Sequence, residues 1–392
     1  MKRIIILFFL ALGAFSGLSR AAIVEGLYEA EVPVADQGAN ERLRAMSIAL
    51  AQVIAKVSGN AEAPQLPAMQ QVLKSPSELV QQFRYRRMPA TPATAQSAAP
   101  SQPVPPADRE LAWFRFDEHA VNRVLRGNGL PVWGRTRPAT LAWIAVEQDG
   151  ARFLLGGDNN EDLRQTLLQD AKRSGLALLF PLLDLEDQHN LNFADVWGGF
   201  QSAITDASER YQPDAILVGR LNLSSTDQWE ARWSLYEKGQ SQDWTGQYAQ
   251  MNDVLQAGVT GAVGLLAKRY APVFAEDEPG VFKLDVDGVN SLKDVAHLSN
   301  YLKSLEQVKD VFLTRVDPGS ASFRLDIRGS SQGLQQTIAL GNTLSVAPVT
   351  TMPESADAGE AGAGQTSVPG MNGAPADTTV STATEYHYRM RH

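Results

Sequence analysis

Three apolar runs, at 140–146, 176–183 and 215–223, restrict the fold more than any other feature of the chain. The run at 176–183 carries no charged side chain, which marks a strand covered on both faces. Helical patterns at 161–173 and 200–211 separate the runs, so strand and helix alternate and predict layered α/β packing. Trp229, Ala231, Trp233 and Leu235 then alternate with polar residues, as in a strand of a half-exposed sheet. The same four residues admit two jobs: core packing, or an aromatic platform for a glycan or partner. A helix over 254–270 closes the region before Pro272.

The flanking regions are patterned differently. Residues 23–32 partly alternate as a strand, and Leu43, Met46, Leu50, Val53 and Val57 recur at helical spacing until Gly59. Short alternating strands at 83–86 and 113–116 flank residues 89–107, which hold six prolines and six alanines and no aromatic residue. That composition predicts a flexible loop, and pairing of its flanks would make it a hairpin connection within one domain. A helix over 118–126 follows, with Gly127 and Gly129 as its stop signal. Further on, a strand at 281–286, a helix from 291 to 305, strands at 311–316 and 323–327 and a helix at 332–344 follow in order. Asp317-Pro318-Gly319-Ser320 joins the last two strands by a strong turn signal. The order β-α-β-β-α predicts a small ferredoxin-like unit.

The expected fold class is therefore α+β with α/β layers. Its divisions are a leader at 1–21, an amino-terminal α/β region at 22–138, a middle α/β domain at 139–275, the small unit at 280–346 and a disordered tail at 348–392.

The leader has Lys2 and Arg3, an apolar stretch over 4–18, and small residues before Ala22. This is the pattern of a secretory signal peptide, shorter than the roughly 20 apolar residues of a spanning helix. Its removal takes away three basic residues and no acidic one, moving the formal charge from −9 to −12. That balance argues against nucleic acid as a partner. There is no cysteine, which excludes disulfides, thiol catalysis and a lipidated amino terminus. The expected product is a soluble periplasmic protein with no integral span after cleavage and no cofactor.

Two groups of residues are candidates for chemistry. Trp133, Arg135 and Arg137 lie in a rigid, basic, aromatic loop bounded by Pro131 and Pro138, and Arg84 and Arg86 form a basic cluster beside the Pro/Ala segment. Loops set by a scaffold often carry function, so these five are the expected contact surface for an envelope protein or glycan. Asp184, Glu186, Asp187, His189 and Asp195 follow the apolar run at 176–183, where α/β sheets collect ligands. Asp184, Asp187, His189 and Asp195 are candidate metal ligands, although the spacing matches no known loop. No Gly-x-Ser-x-Gly, Ser-x-x-Lys, His-Glu-x-x-His or phosphate-cradling motif occurs.

Several stretches together resemble a family of secreted Gram-negative bacterial proteins catalogued as domain of unknown function 2066. They are residues 27–34 with 42–59, Phe116-Asp117-Glu118-His119-Ala120-Val121, Leu130-Pro131-Val132-Trp133 with Arg137-Pro138, 181–187 and 215–221. The resemblance implies no activity, cofactor or catalytic residue. The expected function is that of a non-enzymatic binding or accessory protein of the cell envelope. Two alternatives are a carboxylate- or metal-dependent hydrolase of envelope substrates and a structural module docking through Tyr386-His387-Tyr388-Arg389 of its tail.

Overall fold

A computed structural model describes residues 22–88, 109–157, 160–224, 227–271, 279–328, 331–341, 343–346 and 385–391. The leader, the Pro/Ala segment 89–107 and tail residues 348–384 lie outside the described residues. The chain is α+β and divides into two compact units, Met1–Glu278 with Gln332–Asn342 and Pro279–Ser331 with Thr343–His392.

The first unit opens with β1 (Ala22–Ile23), β2 (Glu29–Val34), α1 (Ala39–Ser58), α2 (Pro67–Val72), β3 (Val80–Met88), β4 (Arg109–Phe116), α3 (Glu118–Gly127) and β5 (Thr136–Arg137). Strands β2, β4 and β3 make an antiparallel sheet in that order, with Phe83 opposite Phe114. The strands flanking the Pro/Ala segment thus pair, as their alternation predicts. On the sheet packs α1, burying Ala45, Met46, Ala49, Leu50, Val53, Ile54 and Val57 at intervals of three and four. Its stop at Gly59 needs the left-handed conformation (φ +64°) that glycine takes without strain.

Next come β6 (Ala139–Gln148), β7 (Ala151–Leu155), α4 (Glu161–Ser174), β8 (Ala177–Leu179), α5 (Leu185–Asn190), α6 (Phe193–Gly198), α7 (Gln201–Ser208), β9 (Ala215–Leu223), β10 (Trp229–Glu237), β11 (Gln240–Tyr248) and α8 (Met251–Tyr270). The sheet order is β11-β10-β9-β6-β7, with β8 beside the start of β6. Strand β6 runs parallel to β9 and β8, and the remaining pairs are antiparallel. One face packs on α8 and α4 and buries Trp229, Ala231, Trp233 and Leu235 in the core, so the tryptophans are not a platform. The other face is covered by α5, α6 and α7 over β6, the first half of β9, Leu154 of β7 and Tyr236 at the end of β10.

The apolar run at 176–183 departs from its expected form. Only Ala177–Leu179 is strand, and Leu179 and Leu182 are exposed. The edge of β6 beyond Leu141 is already taken by β7, which returns through a tight turn at Asp149 and Gly150. The chain therefore leaves the sheet after three residues and turns at Leu183, which holds φ +52°.

Residues 22–138 and 139–275 fall within one compact unit, although each region has a hydrophobic core of its own, with Trp133 reaching into the second. Ala22 pairs with Arg137 and Ile23 with Thr136, joining β1 to β5. The Trp133 amide donates to the Val57 carbonyl at 2.7 Å. Gly59 lies so close to Ala267 of α8 that a Cβ there would stand 2.3 Å from the alanine Cβ.

The second unit contains β12 (Pro279–Val289), α9 (Leu292–Lys303), β13 (Val308–Asp317) and β14 (Gly319–Arg328). After α10 (Ser331–Leu340) come β15 (Leu344–Val346) and β16 (Glu385–Met390). Ser291 caps α9 by accepting from the Asp294 amide at 3.2 Å, the start signal its sequence carries. Most of α10 belongs with the first unit, where Leu340 joins the core. The sheet order is β13-β14-β12-β16-β15. Strand β16 lies parallel to β12 and antiparallel to β15, so the last residues of the expected disordered tail form an interior strand. Tyr388 and Met390 are buried in it, and Tyr386 stacks on Phe282 with ring centroids 4.4 Å apart. Of the expected docking end at 386–389, Tyr388 is buried in the sheet while His387 and Arg389 are exposed.

Candidate functional site

The expected contact loop is an internal clasp. Trp133 and Arg137 are fully buried. The Arg137 guanidinium lies over the Trp133 ring at 4.1 Å and donates to the carbonyls of Trp133, Gly134, Lys56 and Gly175. Burial pulls it below its ordinary pKa, while four carbonyl oxygens replace the water it gives up. Of the remaining expected contacts, Arg135 pairs with Glu118 at 2.6 Å, Arg86 with Glu31 at 3.0 Å, and Arg84 lies over Trp113 at 4.4 Å. All three are exposed surface residues, and an exposed pair of this kind contributes at most about 1 kcal/mol.

The acidic loop is a structural knot rather than a metal centre. Asp187 is buried and accepts from the Leu183 amide at 2.8 Å, from the Tyr211 hydroxyl and from Arg210 at 3.0 Å. Arg210 also binds both oxygens of Asp184, at 2.7 and 2.9 Å, and holds that carboxyl down at about 2. Asp195 closes the capping box of α6 with Asn192, and His189 is exposed. The carboxylates are already engaged by arginine, tyrosine and backbone N–H groups. Among the described residues no group of three metal-ligating side chains could hold an ion.

A different surface gathers charged side chains of both signs. Beyond the cover of α6 and α7, the face of β9, β10 and β11 opposite α8 is an open polar shelf. The pairing register sets it out in rows. Asn222, Glu230 and Gln247 face one another, then Arg220, Arg232 and Thr245, then Val218, Ser234 and Asp243. Arg220 and Arg232 thus stand directly opposite in neighbouring strands, an arrangement that destabilises a sheet unless something neutralises it.

Arg220 is held in place. Its Nη2 donates to Ser234 Oγ at 2.9 Å, and Ser234 in turn donates to Asp243. Nη1 sits against Gly199, where a Cβ would come within 2.7 Å. Its Nε is buried with no hydrogen-bond partner, and neither Arg220 nor Arg232 forms an ion pair among the described residues. Burial and then the neighbouring Arg232 push the Arg220 pKa below its ordinary value. A preorganised guanidinium beside a second one, both lining a cleft of about 560 Å³, is arranged to receive an anion. The sequence shows Arg220, Asn222, Glu230 and Arg232 as polar interruptions of two apolar strands. Their meeting depends on register, which periodicity does not reveal.

Residues 21–134 match a family described as domain of unknown function (DUF8605). This corrects the resemblance to domain of unknown function 2066: the match is to a different family. It covers β1 to α3 and ends before β5, so the shelf lies outside it. A solved structure described as an uncharacterized protein is 12% identical, over 33% of this chain and 88% of that one, with a TM-score of 0.16. A likeness that low carries no weight for fold or function. No curated protein sequence matches the chain.

Proposed function

We propose that this is a non-enzymatic binding or accessory protein of the cell envelope, exported to the periplasm, and that the shelf on β9–β11 receives an anionic group of its partner. The opposed pair Arg220 and Arg232 carries the reading. Two cations facing each other cost the free protein stability that an anion restores. The leader at 1–21 and the absence of cysteine support export without lipidation. Among the described residues no helix is long and apolar enough to cross a membrane.

Titration of inorganic phosphate, followed through arginine Nε–H resonances, tests the shelf. The Arg220 signal moves in the parent chain and stays still in Arg232→Gln. Movement that persists in the variant, or an unmoved Arg220 signal in the parent, overturns the assignment. Cell fractionation with amino-terminal sequencing tests the compartment. A periplasmic chain beginning at Ala22 is expected, and a cytoplasmic chain that keeps Met1 defeats the proposal of export.

A further inference from the structure

We infer that the anion received by the shelf is borne on a saccharide, so that the ligand class is an acidic sugar or a sugar phosphate. This rests on the anion-binding reading and adds a second half to the same site. Adjoining the arginine row is a cleft of about 620 Å³, within the roughly 300–1,000 Å³ of small-molecule sites. Its lining includes Trp197, Arg220, Arg232, Asn222, Glu230 and Gln247.

The aromatic and the cation are positioned by one short element. Trp197 is the penultimate residue of α6, and Phe193 stacks on it at 5.3 Å and 20°. Two residues on, Gly199 turns the chain with φ +68° and leaves the space that the Arg220 guanidinium fills. A half-buried indole thus lines the same cleft as a fixed guanidinium, as recognition of a ring with a charged substituent requires. The apolar face of a pyranose packs on an indole, and its substituent reaches the two arginines.

The row Asn222, Glu230 and Gln247 supplies the remaining need. These are an amide, a carboxylate and an amide on three adjacent strands, and Gln247 Nε2 lies 3.5 Å from Glu230 Oε1. Such a row both donates to and accepts from neighbouring hydroxyls, which a bare inorganic anion does not offer. Charge selects among ring-bearing anions. Asp243 and Glu230 flank the two arginines, so the cluster is close to neutral before a ligand arrives and repels a polyphosphate.

The test is calorimetric titration of the full chain with three acidic sugars (glucuronate, N-acetylmuramate and glucose 6-phosphate), each beside acetate or phosphate, glucose and adenosine monophosphate. At least one acidic sugar binds about tenfold or more tighter than its bare anion and than glucose. Trp197→Ala removes that advantage and leaves phosphate binding unchanged, Trp197→Phe restores part of it, and Arg232→Gln abolishes the binding of sugar and phosphate alike. Thermal melting of each variant confirms that it is folded. If phosphate binds at the arginines but no sugar gains on its anion, the saccharide inference falls and the anion shelf stands. Binding of neither removes both readings. Preference for adenosine monophosphate over every sugar reassigns the ligand to a nucleotide and overturns the inference.

Discussion

Single side chains decide how the interior is closed. Arg137 spends its donors on four carbonyls drawn from three parts of the chain, so its loss leaves several buried acceptors and a void beside Trp133. Arg137→Ala is expected to cost on the order of 3–5 kcal/mol in chemical denaturation. Lys56 is buried near it, donating to the carbonyls of Gly26 and Glu29 at 3.2 and 2.8 Å. Burial first, and then Arg137, lower the Lys56 pKa from 10.5 to about 8. Between these values the unfolded chain holds a proton that the folded chain has released, so stability rises with pH across that window. The contribution is on the order of 3 kcal/mol. Denaturation at the two ends of the window should show this rise in the parent and lose it in Lys56→Met. Trp233 is a third case, wedged between Gly219 and Gly258, where added Cβ atoms would lie 2.6 and 2.4 Å from its ring. Gly258→Ala overpacks the core and is expected to cost about 1–3 kcal/mol by thermal melting.

Elements follow local signals where apolar periodicity is strong. The repeat in α1 with its glycine stop, the strands on either side of the Pro/Ala segment, the Ser291 cap and the 317–320 turn were all legible. What escaped was strand without apolar content. Strand β11 reads Gln-Ser-Gln-Asp-Trp-Thr-Gly-Gln-Tyr, and its evidence is instead the two-residue turn before it, where Lys238 and Gly239 both have positive φ. Asp149-Gly150 likewise announced β7, for Asp-Gly is a strong hairpin signal. The carboxyl-terminal strand shows the opposite error. Low-complexity surroundings concealed β16, whose residues 386–390 alternate inward and outward. Removing 385–392 uncovers the edges of β12 and β15 together with Phe282. Hydrogen exchange should then lose protection on β12 and β15, while the first unit keeps its own; unchanged protection on β12 would show that β16 contributes nothing.

At the scale of the whole molecule, the first unit joins what reads as two domains. The family match ends at residue 134, but β1 needs Thr136 and Arg137, and α1 ends against α8. A fragment of residues 22–134 is therefore expected to lack the near-ultraviolet signal of buried tryptophan and to melt without a cooperative transition. A cooperative melt would show that the boundary lies where the family match puts it. By itself, the sequence determined the α+β class, most helices, the apolar strands and the absence of any disulfide, because these depend on neighbours a few residues apart. Tertiary structure alone decided which charges are spent and which are free. Arg137 and the acidic loop looked functional and were absorbed, since backbone carbonyls and Arg210 satisfy them from distant parts of the chain. Arg220 and Arg232 looked ordinary and were left facing each other. Periodicity places a side chain on one face of its element, but long-range register chooses what stands opposite, and the electrostatics of a site reside in that choice.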